Sequence, residues 1–184
     1  MKKQTPKPKI VNLIATAELG QTVNLEKLIF VEGFLYDTSI YRCAYLKDKN
    51  TKSKVSIFSS GKMISSGSKN FREAKHDLKY ASNRLVELGL VKTNRIVVKI
   101  QNLVATTQVG RQLDLERLSR TLPNVIYEPE QFPAAIYHAE DLEGGSVLIF
   151  ANGKLVFAGL RQESSLEIAS KIAGNLAYTM AKSS

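Results

Sequence analysis

Residues 9–28 read KIVNLIATAELGQTVNLEKL, and residues 99–118 read KIQNLVATTQVGRQLDLERL. Ten of the twenty positions are identical, at an offset of 90. A second match follows in each copy: IFSSGKMISSG (57–67) against IFANGKLVFAG (149–159) agrees at five of eleven positions, at an offset of 92. The drift from 90 to 92 places two extra residues in the middle loops of the second copy. Together the copies fill nearly all of the 184 residues, and the period exceeds the ~20–50 residues of a solenoid. The chain is therefore read as a duplicated half-domain, with repeats at 9–93 and 94–182 and a flexible basic N-terminus at 1–8.

Each copy carries the same order of elements. A β-branched segment opens it, at Ile10 to Ala17 and at Ile96 to Val109. A short helix follows, with Asn24 or Asp114 as N-cap and an apolar face at Leu25/Leu28 or Leu115/Leu118. SSGK (59–62) and ANGK (151–154) read as tight hairpin turns between strands. A long amphipathic helix closes each copy. Its apolar stripe is Phe71, Ala74, Leu78, Ala81, Leu85 and Leu88 in the first, with Gly89 at C′. In the second it is Leu166, Ala169, Ile172, Ala173, Leu176 and Met180, with Ser165 as cap. This pattern specifies an α+β fold, an antiparallel sheet with helices packed on one side.

Composition limits the function. The mass of 20.4 kDa suits one domain or two small ones with a real core, and the 43% apolar content is globular. No apolar run approaches the ~18 residues of a membrane span, and the lysine-rich N-terminus is no secretory signal. One cysteine, Cys43, excludes an internal disulfide framework and fits a reducing compartment. That cysteine and two histidines, His76 and His138, leave little for a metal cage, so neither metal nor cofactor is expected. Net charge is +9, all of it in residues 1–93, where 17 Lys and Arg face 8 Asp and Glu; residues 94–184 balance at 9 against 9. A polyanion such as nucleic acid is the first partner to consider, against the plainer reading of a solubilising coat.

The strands are apolar on both faces, and the helices can cover only one. Alternation then leaves a second face holding Asn12, Ile14, Thr16, Phe58, Ile64 and Ser66 from the first copy. From the second copy come Asn102, Val104, Thr106, Leu148, Phe150, Val156 and Ala158. Neither set contains Asp or Glu. An open, apolar, carboxylate-free face beside lysines is a candidate binding surface; the alternative is a second core layer or a dimer interface. The repeated Asn12 and Asn102 favour the binding surface, because a side-chain amide can donate to the acceptors that A·T and T·A pairs share in the minor groove.

With the paired N-[LI]-[VI]-A-T strands, the two IF-x-x-GK turns and YEPEQFP at Tyr127–Pro133, residues 9 to 181 resemble the TATA-box-binding protein family, in its archaeal form. The resemblance implies a pseudo-twofold saddle, one domain made of both repeats. Its curved antiparallel sheet would bind and bend promoter DNA through the minor groove, with helices on the convex face. It implies a general transcription initiation factor, not an enzyme, with double-stranded TATA-box DNA, transcription factor B and the RNA polymerase pre-initiation complex as partners. No membrane partner is implied, and the location would be cytoplasmic and nucleoid-associated.

By position, Tyr41, Phe58, Phe132 and Phe150 would be the intercalating wedges. Asn12, Ile14, Ile64, Ser66, Asn102, Val104, Leu148 and Val156 would line the groove. Lys62, Lys69, Lys154 and Arg161 would contact phosphates, and Glu128, Glu130 and Gln131 would bind factor B. Several positions depart from the family pattern: Tyr41 stands for a wedge phenylalanine, Arg42 for a small residue or proline, and Ser56 where the second copy has Leu148. Ala158 replaces a usual threonine and His138 a common arginine. These departures motivate an alternative, a divergent paralogue that works mainly as a protein-interaction module with weak DNA binding. The open face also makes a homodimer conceivable when DNA is absent.

Overall fold

The computed structural model describes residues 6–181, with side chains through Tyr178. Residues 1–5 of the expected flexible N-terminus and the Met180 side chain lie outside that range. The chain divides into two compact units, residues 12–101 and residues 1–11 with 102–184. The division falls inside the first strand of each copy. The first unit therefore takes residues 94–101 from the second repeat, and the second unit takes 9–11 from the first.

In the first unit the strands are β1 (Lys9–Glu18), β2 (Phe34–Leu35), β3 (Cys43–Leu46), β4 (Lys54–Phe58) and β5 (Lys62–Ser68). They pair antiparallel in the order β2-β3-β4-β5-β1. Helix α1 (Phe71–Glu87) lies on β4 and β5. In the second unit β6 (Lys99–Gln108), β7 (Val125–Ile126), β8 (Ala134–Tyr137), β9 (Ser146–Phe150) and β10 (Lys154–Leu160) pair in the order β6-β10-β9-β8-β7. There α2 (Leu115–Thr121) packs on β7 and β8, and α3 (Ser165–Ala181) on β10.

Alternation sets the layers. Val55, Ile57 and Met63 in the first unit, and Val147, Ile149, Leu155 and Phe157 in the second, are fully buried toward the helices. Ala74, Leu78, Ala81 and Leu85 of α1 close the first core, and Ala169, Ala173 and Leu176 of α3 the second. Asn24 and Asp114 are the N-caps expected: their side chains accept from the Glu26 N–H (3.1 Å) and the Arg117 N–H (3.0 Å). The first copy's short helix is a 3-10 turn of four residues, Leu25–Leu28, rather than an α-helix.

Two local expectations change, and the hairpin turns hold. Ser165 is the first residue of α3 and is buried, so it is not the flanking cap. The turn ahead of it is instead closed by Leu166 N–H to the Glu163 carbonyl (3.0 Å) and Glu167 N–H to the Ser164 carbonyl (3.1 Å). Both hairpin turns form, with Gly61 and Gly153 as their left-handed residues at φ 86° and 83°. Pro6 and Lys7 are tied down: their carbonyls accept from Ser170 Oγ (3.0 Å) and Thr107 Oγ1 (3.4 Å).

Candidate nucleic-acid interface

Within each unit the helix-free face consists of the residues that alternation assigned to it. In the first, Asn12, Ile14, Thr16, Phe58, Ile64 and Ser66 are half-buried, as is Ser56 beside them, and at Ile14, Thr16, Ser56 and Ile64 both chain neighbours are buried. In the second, Asn102, Val104, Thr106, Leu148, Phe150, Val156 and Ala158 show the same pattern. A half-buried side chain with no helix over it keeps one surface for a partner. Lys62, Lys69, Lys154 and Arg161 are exposed at strand ends or just beyond them.

Two of the expected wedges, Tyr41 and Phe132, follow matched turns. The Glu128 carbonyl accepts from the N–H groups of Gln131 (3.0 Å) and Phe132 (2.9 Å); the Asp37 carbonyl accepts from those of Ile40 (3.2 Å) and Tyr41 (2.8 Å). In the second unit this turn brings Phe132 edge-on to Phe150, with ring centroids 6.3 Å apart, and leaves Phe132 38% exposed. In the first unit Tyr41 packs edge-on against Tyr45 at 5.2 Å. The Asp37 carboxylate also holds its turn, accepting from the Ser39 hydroxyl (2.6 Å) and N–H (2.9 Å); these bonds keep it below its ordinary pKa.

Tyr45 is the residue that the motif reading missed. It lies directly across the β3–β4 ladder from Ser56, where the second unit pairs Ile136 with Leu148. Ser56 therefore does not leave the face bare, because the tyrosine ring stands beside it. Lys54 Nζ sits 4.3 Å from the centre of that ring, and a hydrogen bond with Cys43 pushes the phenol above its usual pKa. At neutral pH the hydroxyl is therefore protonated, both donor and acceptor. Lining the two copies up shows Ser56 against Leu148, but that Tyr45 faces Ser56 follows only from the strand register.

Asn102 has a structural use that the sequence did not reveal. Asn102 Oδ1 accepts from the Gly159 N–H (3.2 Å), where the β6–β10 register shifts between Phe157 and Leu160. The first unit has the same kind of shift beside Asn12, between Leu13 and Ile14. In Asn102 the carbonyl side is thus occupied by the bulge, and the amide N–H groups remain for a partner.

Other expectations are placed as follows. Glu128, Glu130 and Gln131 are exposed on the turn that carries Phe132. Arg84 of α1 is anchored. Its guanidinium lies 3.3 Å from the Tyr80 hydroxyl and 3.7 Å from the Asp48 carboxylate, and the Tyr80 bond raises its pKa further. Lys79 Nζ donates to the Asn94 carbonyl (2.8 Å). His138 is exposed, with Nδ1 3.2 Å from Ser146 Oγ. Among the described residues no His, Cys, Asp and Glu side chains group as a metal ion requires, and no helix is long and apolar enough to cross a membrane.

A family model described as transcription factor TFIID, or TATA-binding protein, matches residues 7–88 and again 97–177. The chain belongs to the TATA-binding protein family. Its two matched segments are the two repeats. It is 35% identical over 162 residues to a TATA-box-binding protein of Cenarchaeum symbiosum, covering 87% of this chain and 88% of that protein. A TATA-box-binding protein of Pyrodictium occultum is 36% identical over 169 residues, at 89% and 83% coverage. The solved Methanococcus jannaschii TBP superposes with a TM-score of 0.79 at 30% identity, covering 95% of this chain and 99% of that one. The fold is thus the TATA-binding protein fold that the repeats implied. Members of the family are DNA-binding transcription factors, not enzymes.

Proposed function

We propose that this protein is a general transcription initiation factor that binds A·T-rich promoter DNA in the minor groove and bends it. The carrying observation is the helix-free face of each unit, whose half-buried residues include no Asp or Glu, with Phe132 and Phe150 in edge contact at one end. Insertion of such rings between base steps unstacks them at a cost of a few kcal/mol per step, which contact along the bent duplex offsets. Lys62, Lys69, Lys154 and Arg161 serve the phosphates, adding affinity without sequence information. Asn102 presents its free amide donors to groove acceptors, with Ile14, Ile64, Val104, Leu148 and Val156 in van der Waals contact and Asn12 and Ser66 beside them. The exposed Glu128, Glu130 and Gln131 form the contact for transcription factor B, which brings RNA polymerase.

The test is anisotropy and bend-sensitive energy transfer on a labelled TATA duplex and a G·C-rich control, with wild type and the Phe132→Ala/Phe150→Ala variant. Tight, A·T-selective binding with a bend, lost in the variant, is the expected result. Binding that is weak, unselective and unchanged in the variant excludes the intercalation reading. It would favour a protein-interaction module, for which the diversion of Tyr41 onto Tyr45 is the supporting observation.

A further inference from the structure

The two units do not offer a duplex the same chemistry. At one ladder position on the open face the first unit pairs Tyr45 with Ser56, and the second pairs Ile136 with Leu148. The flanking residues differ in the same sense. Lys54 stands next to Ser56 in sequence alternation and packs over the Tyr45 ring, whereas the second copy has Ser146 at the matching place. The Tyr45 ring is fixed from a second side by the edge of Tyr41. Tyr41, Tyr45, Lys47 and Lys54, with Phe34 and Leu35, line a hollow of about 510 Å³ at this end of the first unit.

The minor groove makes this difference meaningful. An A·T pair shows only acceptors there, in either orientation, and a G·C pair adds the guanine N2 amine, a donor. Against Ile136 and Leu148 that amine would lose its water and find no acceptor, so the pair is rejected. Against Ser56 and Tyr45 it meets two hydroxyls, each with lone pairs to accept it. Hydroxyls also donate to the A·T acceptors, so the same pair tolerates both kinds of base pair. The lysine beside the ring adds attraction for the nearby phosphates whatever the sequence.

We propose that the Tyr45–Ser56 pair is a specificity determinant that lets the first unit accept a G·C pair in its half of the site, while Ile136–Leu148 holds the second unit to A·T. The inference rests on the minor-groove reading above. It predicts a promoter preference that is strict in one half and relaxed in the other, so that a single G·C pair sets the direction in which the protein lies on a site.

Three duplexes test it: an all-A·T site, the same site with one G·C pair in one half, and one with a G·C pair in each half. They are titrated with wild type and with the Tyr45→Ile/Ser56→Leu variant, which rebuilds the second unit's pair in the first. For wild type, one G·C pair should weaken binding less than about threefold, because the protein turns to place it on Tyr45–Ser56. Two pairs should weaken it by about tenfold or more, the scale of a mismatched position. In the variant the single-pair duplex should bind about tenfold more weakly than the all-A·T duplex, and an unchanged thermal melt reports an intact fold. Equal losses for one pair in wild type and variant would overturn the proposal. Failure of wild type to bind even the all-A·T duplex would overturn the minor-groove reading and this inference with it.

Discussion

The Asp77 carboxylate, fully buried on α1, accepts from both the hydroxyl (2.6 Å) and the backbone N–H (2.7 Å) of Ser53, at the entrance to β4. It also accepts from the Lys52 N–H at 3.0 Å, and Ser53 Oγ continues to Ser65 Oγ (2.8 Å) and on to Ser68 Oγ (3.1 Å). At an offset of 92 the second copy has Ala169, Phe157 and Leu160 in place of Asp77, Ser65 and Ser68. One half-domain therefore fills this part of its core with a hydrogen-bonded network and the other with a phenylalanine.

Replacing Asp77 by Ala should unfold the first unit readily. Two backbone donors and a hydroxyl would be left buried without an acceptor, a loss of about 3 kcal/mol or more. Ser53→Ala removes one donor and leaves the carboxylate the Ser53 and Lys52 N–H groups, so about 1–2 kcal/mol is expected. Urea titrations of both variants check the ranking; equal losses would mean that the network does not centre on Asp77.

The hairpin glycines should tolerate no side chain. A Cβ on Gly61 would lie 2.1 Å from the Gln21 carbonyl oxygen, and one on Gly153 2.1 Å from that of Arg111. Both residues also have positive φ, which costs a further ~1 kcal/mol. Gly110 has positive φ too, with nothing within 4 Å of its Cβ position. Thermal melts of Gly61→Ala, Gly153→Ala and Gly110→Ala should therefore show two large falls and one small one. A large fall for Gly110→Ala would contradict the steric account.

Phe150 and Phe157 separate function from stability. Phe157 is fully buried, and Phe157→Ala should cost about 3–5 kcal/mol. Phe150, half-buried on the open face, should lose much less stability on truncation but most of the A·T-selective binding. Stability and anisotropy measured on the same two variants decide it. The assignment fails if Phe150→Ala unfolds the protein or binds TATA DNA normally.

Lys62 and Lys154 should govern salt dependence rather than selectivity. Each Lys→Ala change should flatten the plot of log affinity against log salt by about one unit of slope and weaken A·T-rich and G·C-rich duplexes alike. A change in the preference between the two duplexes would place that lysine on the bases instead.

Asp37 supplies a pH signature. Its folded-state pKa lies below the ordinary 3.8, held down first by the Ser39 hydroxyl and then by the Ser39 N–H. Its contribution to the turn before Tyr41 is therefore fully present above about pH 4 and is lost as pH falls through the folded-state value. In Ser39→Ala the carboxyl should titrate closer to 3.8, as read by side-chain NMR. An unchanged titration would show that the hydroxyl is not the cause.

Most of the fold was legible in the chain because it is written twice. The alternation of β1 and β6, the caps Asn24 and Asp114, and the glycines of both turns are local properties, set by side-chain period and backbone sterics. The open face was legible for the same reason: period two assigns Ile14, Phe58, Val104 and Phe150 to one side whatever packs on the other. The anchoring of Arg84 was not legible, because helical periodicity says only which way a side chain leaves its helix. It cannot say that Asp48 and Tyr80 will meet it there.

Sequence alone determined the duplication and the layering, since each depends on residue type and short-range spacing. Tertiary structure alone decided which residues answer one another across the ladders and the core. Asn102 serves the bulge at Gly159, Tyr41 turns to Tyr45, and Tyr45 stands opposite Ser56. Those partners are 57, 4 and 11 residues apart in the chain. Their meeting depends on strand register, which the pairing of whole strands fixes and no local pattern encodes.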